Sequence, residues 1–113
     1  MFQQIMSGGE SVTDLGRIEK LVSNINSTGN KSIENGKTVE NYRYFLVTTE
    51  AAGALRGSTL APKELFKSGK NIMTADVVGP SIYYCGIQYV DNSTIYVSEC
   101  QPYDRLFNVY GII

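Results

Sequence analysis

Eight tyrosines, two cysteines and eleven carboxylates are the side chains of this 113-residue chain from which chemistry could be built, and it contains no histidine. Histidine is the usual proton shuttle near neutral pH and the commonest metal ligand, so its absence removes most routes to catalysis. A serine nucleophile would need a buried lysine as its base, and Ser68 and Lys70 flank Gly69 in turn chemistry rather than in a strand or helix. Cys85 and Cys100 have no histidine to activate them in this chain. The carboxylates are scattered singly, with no pair that the sequence brings to the roughly 5–9 Å needed for glycoside hydrolysis. The stretch Gly53 to Gly57 is too short for a phosphate loop, and Asp91-Asn92 lacks the spaced acids of a calcium loop. The expectation is a protein that is not an enzyme, with no cofactor and no metal.

Tyrosine then carries the chemistry that remains, which is contact. Side chains alternate across a strand, so Tyr83 and Tyr84 must point to opposite faces, and a domain this small cannot bury every ring. An exposed tyrosine offers a large rigid surface with a hydroxyl, suited to stacking on sugars and to packing between subunits. Tyr84 and Tyr103, with the loop residues Asp91 and Asn92 as polar contacts, are the candidate ligand-binding residues, because hairpin tips and aromatic edges are where a rigid scaffold presents itself. Ordinary strand edges whose hydroxyls reach water account for the same rings equally well.

The elements that must position these residues read as strands. Residues 38–50 are dense in β-branched and aromatic side chains, and the run Tyr44-Phe45-Leu46-Val47 predicts a strand covered on both faces, one by the core and the other by a partner. Residues 71–78 predict a further strand, and residues 105–112 a final one. Residues 82–90 and 94–100 predict a hairpin about Asp91, Asn92 and Ser93, in a register pairing Tyr89 with Tyr96, Ile87 with Ser98 and Cys85 with Cys100. Buried free thiols are favoured there over a cross-strand disulfide. Residues 24–37 are turn chemistry almost throughout and predict a long surface loop; residues 51–57 read as a small-residue linker and 64–67 as an edge strand. Residues 11–22 satisfy a strand or a helix, and Gly16 tips the reading to strand. The sum is an all-β fold: an antiparallel β-sandwich, jelly-roll-like, of about seven to eight short strands with at most one short helix.

Length and 42% apolar content fit a single core, placed in residues 11–113 behind a flexible or attachment arm of residues 1–10. In that arm Phe2, Ile5 and Met6 form a short apolar group on a Ser7-Gly8-Gly9 joint, and are the candidate attachment residues. A formal charge of −1 without a basic, aromatic-interleaved block argues against nucleic acid as a partner. No apolar run approaches the ~20 residues of a membrane span, and no secretory signal is visible.

The glycine-jointed start, the phrase Gly57-Ser58-Thr59-Leu60-Ala61-Pro62 leading into Glu64-Leu65-Phe66-Lys67-Ser68-Gly69, and the ending Asn108-Val109-Tyr110-Gly111-Ile112 resemble the small β-sandwich domains that close tail-fibre and other virion-surface proteins of bacteriophages and prophages of gut bacteria. The resemblance covers roughly residues 11–113. It implies a virion structural or adhesion protein, assembled in the host cytoplasm and displayed on the virion surface. Such a protein is commonly a homotrimer, and either contacts host-surface glycans or caps a fibre beside other virion proteins. Fibre proteins carry a long shaft before such a head, and only residues 1–10 stand there, which suits a head-fibre or capsid-decorating knob or a separately encoded tip. The alternative is a stand-alone carbohydrate-binding or protein-interaction module of a gut bacterium.

Overall fold

The computed structural model describes residues 16–102 and 105–113. Eight strands follow in chain order: β1 (Ile18–Ile25), β2 (Gly29–Ser32), β3 (Tyr44–Ala51), β4 (Ala54–Pro62), β5 (Ile72–Val78), β6 (Ser81–Asp91), β7 (Thr94–Cys100) and β8 (Leu106–Ile112). They form two four-stranded antiparallel sheets, a first in the order β1-β8-β3-β4 and a second in the order β2-β7-β6-β5. This is the expected all-β sandwich. Its core lies between the sheets, where Phe45, Val47, Phe107 and Val109 of the first sheet meet Cys85, Ile87, Ile95 and Val97 of the second, all fully buried.

The alternation that the strand sequences encode decides which side chains enter this core. In β3 Phe45 and Val47 point in while Tyr44 and Leu46 point out, and β8 matches them residue for residue, Phe45 facing Gly111 and Val47 facing Val109. Gly111 is required by its neighbour: a Cβ there would lie 2.6 Å from the ring of Tyr42, which is laid flat over the strand. That ring is buried, yet its hydroxyl is satisfied, accepting from Asn35 Nδ2 at 2.7 Å and donating to Glu19 Oε1 at 2.8 Å. Glu19 also holds Lys37 at 2.9 Å and Arg17 at 3.0 Å, so one polar cluster closes this end of the first sheet.

Several local expectations change. Residues 64–67 are not an edge strand; Lys63–Lys67 forms a single helical turn, α1, entered from Pro62 and closed by Ser68, whose N–H bonds the Glu64 carbonyl at 3.1 Å. Gly69 then reverses the chain at φ +92°, a conformation that costs glycine little. One turn is too short to display a helical period, which is why it is invisible to pattern. Its purpose is Phe66, fully buried with its ring centroid 4.7 Å from Phe45 and 5.6 Å from Tyr89, closing the gap between the sheets. The predicted 24–37 loop contains β2, a four-residue strand with no apolar alternation, held by backbone pairing to β7. Residues 38–50 divide into a 3-10 turn at Val39–Asn41 and β3 proper, and β4 begins at Ala54 inside the predicted linker.

In the β6–β7 hairpin Cys85 does face Cys100, but Ile87 faces Val97 and Tyr89 faces Ile95 instead of Ser98 and Tyr96. Two register shifts, between Gly86 and Ile87 and between Tyr89 and Asp91, separate the observed register from the expected one. Strand β1 agrees with the strand reading where it is described. The boundary expected between residues 10 and 11 lies outside the described residues.

Candidate ligand-binding face

Strand β6 buries Cys85 and Ile87 in the core and turns Ile82, Tyr84, Gly86 and Gln88 to the outer side of the second sheet. Pairing to β5 sets Val77 beside Ile82, Ala75 beside Tyr84 and Met73 beside Gly86; on the other flank Tyr96 of β7 lies between Gln88 and Asn30. A solvated sheet face is ordinarily polar. This one leaves Val77, Ile82 and Tyr84 exposed at 59, 51 and 45%. Tyr84 therefore stands where the sequence placed it, outward and accessible, while Tyr83 on the opposite side is half-buried.

Tyr84 is also fixed in place. Its backbone carbonyl accepts from Gln101 N–H at 2.9 Å, and its own N–H donates to Gln101 Oε1 at 3.3 Å. Beside it an open cleft of about 590 Å³ is lined by Ser81, Ile82, Tyr83, Gln101 and Pro102, a volume within the range of small-molecule sites. Tyr103, the second aromatic candidate, lies outside the described residues, as do the attachment candidates Phe2, Ile5 and Met6.

Asp91 and Asn92 are at the far end of the same hairpin, so the structure does not bring them to Tyr84. Their polar groups serve the turn. Asp91 Oδ1 accepts from Ser93 N–H at 2.9 Å, which holds its carboxyl below the usual carboxylate range. The Asn92 carbonyl accepts from Val39 N–H at 2.8 Å, and its side-chain oxygen accepts from the Tyr89 hydroxyl at 3.1 Å. Met73, Gly86, Tyr96 and Ser98 belong to the outer face; alternation from Tyr84 along β6 finds Gly86, whereas the expected hairpin register places Tyr96 and Ser98 on the side of Cys85, and the register shifts bring them outward.

A second surface lies on the outer side of the first sheet. The pairs Ile18–Ile112, Ile112–Tyr44 and Tyr44–Pro62 form one cross-strand row, and Tyr110–Leu46–Leu60 the next. Ile18, Tyr44 and Leu60 are exposed at 50, 41 and 54%. Further along the same face the Glu50 carboxylate accepts from Tyr110 OH at 2.6 Å, Thr48 Oγ1 at 2.7 Å and Asn108 Nδ2 at 3.2 Å. Burial works against its charge, but these donors outweigh it and hold the carboxyl below its ordinary value. Burial, followed by the hydrogen bond to Glu50, pushes the Tyr110 phenol up to about 12, and burial likewise raises Tyr42 to about 12.

These phenols set an alkaline limit. Each is neutral in the fold well past the ordinary phenolic value near 10, so their contribution is complete below about pH 10 and is lost as the pH climbs to about 12. The expected loss is on the order of 2 to 3 kcal/mol for the buried Tyr42. Urea midpoints measured across that window should fall for the parent and fall less for Tyr42→Phe; an equal fall in both would remove Tyr42 as the cause.

The cysteines are free, with Cys85 fully buried. Burial raises the Cys85 thiol to about 11 and raises Cys100 as well, conditions under which neither is a ready nucleophile. At the margin between the sheets, buried Asp76 pairs with Arg105 at 2.8 Å and with Arg56 at 3.6 Å. Lys63 and Lys67 both pair with Glu40. Among the described residues no three His, Cys, Asp or Glu side chains gather as a metal site, and no helix is long and apolar enough to cross a membrane.

No family model, curated protein or solved structure matches this chain. The functional reading therefore stands on the two outer faces.

Proposed function

We propose that this domain associates and adheres rather than transforms: a non-enzymatic structural or adhesion protein of a bacteriophage virion, a fibre head or capsid-decorating knob. Its copies meet through the outer face of the first sheet. The observation that carries the reading is the apolar row Ile18, Ile112, Tyr44 and Pro62 with Leu46 and Leu60 beside it, on a face that a monomer would leave in water. Around a three-fold axis each such face meets those of both neighbours, and the second sheet, with Tyr84, is left outward for host glycans. The exposed Tyr84 face also supports the alternative, a monomeric carbohydrate-binding or protein-interaction module of a gut bacterium.

Light scattering on the full chain separates the two. A trimeric mass that survives dilution is expected, together with a shift to monomer for Leu60→Lys combined with Tyr44→Lys. Both positions are exposed, so the far-ultraviolet circular dichroism should be unchanged. A strict monomer in the parent would overturn the oligomeric reading.

A further inference from the structure

The geometry points to a saccharide subsite on the outer face of the second sheet, floored by Gly86 and covered by the side chain of Met73. It deepens the adhesive reading above and rests on it. Gly86 has no positive φ that would demand glycine; what the missing side chain provides is space. A Cβ at Gly86 would lie 2.2 Å from Met73 Sδ and 3.1 Å from Met73 Cε, so the thioether of the neighbouring strand occupies the room above the glycine. The same Cβ would lie 3.1 Å from Ser98 Oγ, so the serine hydroxyl borders that space too.

Ser98 owes its position to the bulge. The pairing passes from Gly86–Glu99 to Ile87–Val97, which leaves Ser98 as the extra residue, and such a residue re-aims its side chain. Its hydroxyl is out of contact with solvent and has no hydrogen-bond partner. Unmet buried hydroxyls are unfavourable, and a hydroxylated ligand would satisfy this one. Methionine is the least demanding of covers, since its unbranched, soft side chain swings aside at small cost.

With Met73 displaced, the opened floor is bounded along β6 by Tyr84 on one side and by Gln88 with Tyr96 on the other. Tyr84 and Gln88 are four residue steps apart along the strand, roughly 13 Å, which accommodates two or three sugar rings. Tyrosine faces stack on the C–H faces of pyranoses, while the Ser98 hydroxyl and the exposed Glu99 carboxylate accept sugar hydroxyls. The carboxylate opposite Gly86 disfavours uronic and sialic acids, so the ligand class is a neutral di- or trisaccharide.

The test uses the full-length protein with its methionine methyls labelled with carbon-13, titrated by nuclear magnetic resonance with lactose, maltotriose, cellotriose and tri-N-acetylchitotriose. At least one of these should shift the Met73 methyl, identified by its loss in Met73→Ala. Ser98→Ala should weaken that binding about five-fold, and Gly86→Val, which fills the floor, should abolish it while circular dichroism stays unchanged. No shift with any of the four sugars, or a shift that survives Gly86→Val in full, would overturn the subsite. Light scattering on the same samples reports separately on assembly, so the subsite can fail while the oligomer stands, and the reverse.

Discussion

Replacing Phe66 by alanine should lower the unfolding free energy by about 3 to 5 kcal/mol. Phe66 is fully buried, and α1 contributes no other buried side chain. Its ring lies between Phe45 of the first sheet and Tyr89 of the second, with centroids 4.7 and 5.6 Å away. Removing it leaves a void bounded by strands that are hydrogen-bonded on both sides and cannot collapse into it, the condition under which truncations cost most. Phe66→Leu should recover more than half of the loss, because most of the volume returns while the ring stacking does not. Urea denaturation followed by circular dichroism measures both. A loss below about 1 kcal/mol for the alanine variant would mean that the turn carrying Phe66 does not close the sandwich.

The position of Phe66 marks a limit on what the sequence reveals. Density of β-branched and aromatic side chains made residues 38–50 legible as a strand, and the structure then sorts them by alternation, Phe45 and Val47 in against Tyr44 and Leu46 out, with Phe107 and Val109 in against Leu106 and Tyr110 in β8. A helical turn of five residues has no period to read, and β2, with the sequence Gly-Asn-Lys-Ser, gains its order from the backbone of β7 alone. The hairpin was legible in its ends but not in its middle. Cys85 and Cys100 do face each other, yet two irregularities carry the pairing there, and the one at Ser98 supplies the unpartnered hydroxyl of the proposed subsite. Bulges depend on how two twisted strands meet, which is tertiary information.

The candidate site divides along the same line. Tyr84 was placed by simple alternation, and it is exposed. Asp91 and Asn92 were chosen as polar tip residues, and that polarity is what the turn itself consumes, through Ser93, Val39 and Tyr89. Turn-forming side chains are enriched at tips because they bond their own backbone, and a tip of this kind has fewer polar groups left for a ligand. The apolar outer rows of the first sheet were half legible. The run Tyr44-Phe45-Leu46-Val47 predicted cover on both faces; Phe45 and Val47 have it, while Tyr44 is exposed and Leu46 half-buried in the single chain. Continuous apolarity in a strand whose second face meets water is what the proposed association would explain.

Gly57→Ala should destabilise the domain by about 3 kcal/mol or more, and should do so more severely than Gly53→Ala. The comparison separates two reasons for glycine. Gly53 turns the chain from β3 to β4 at φ +71° with nothing near its missing side chain, so alanine there meets only the backbone penalty of roughly 1 kcal/mol. Gly57 has no positive φ, but a Cβ on it would lie 2.5 Å from the carbonyl oxygen of Ala75 on β5 and 3.0 Å from both Thr49 Oγ1 and Thr74 Oγ1. A carbonyl oxygen cannot rotate away as a side chain can. The two threonines are themselves buried, and Thr49 Oγ1 accepts from Gly57 N–H at 2.9 Å. To admit one methyl group, β4 must part from β5, drawing Arg56 away from Asp76, the buried carboxylate it approaches at 3.6 Å. This contact ties the end strand of one sheet to the end strand of the other. On the proposed assembly, Gly57→Ala that still folds should lower the oligomeric mass as well as stability, whereas Gly53→Ala should leave that mass as in the parent. Equal urea midpoints for the two variants would show that β4 and β5 do not approach so closely.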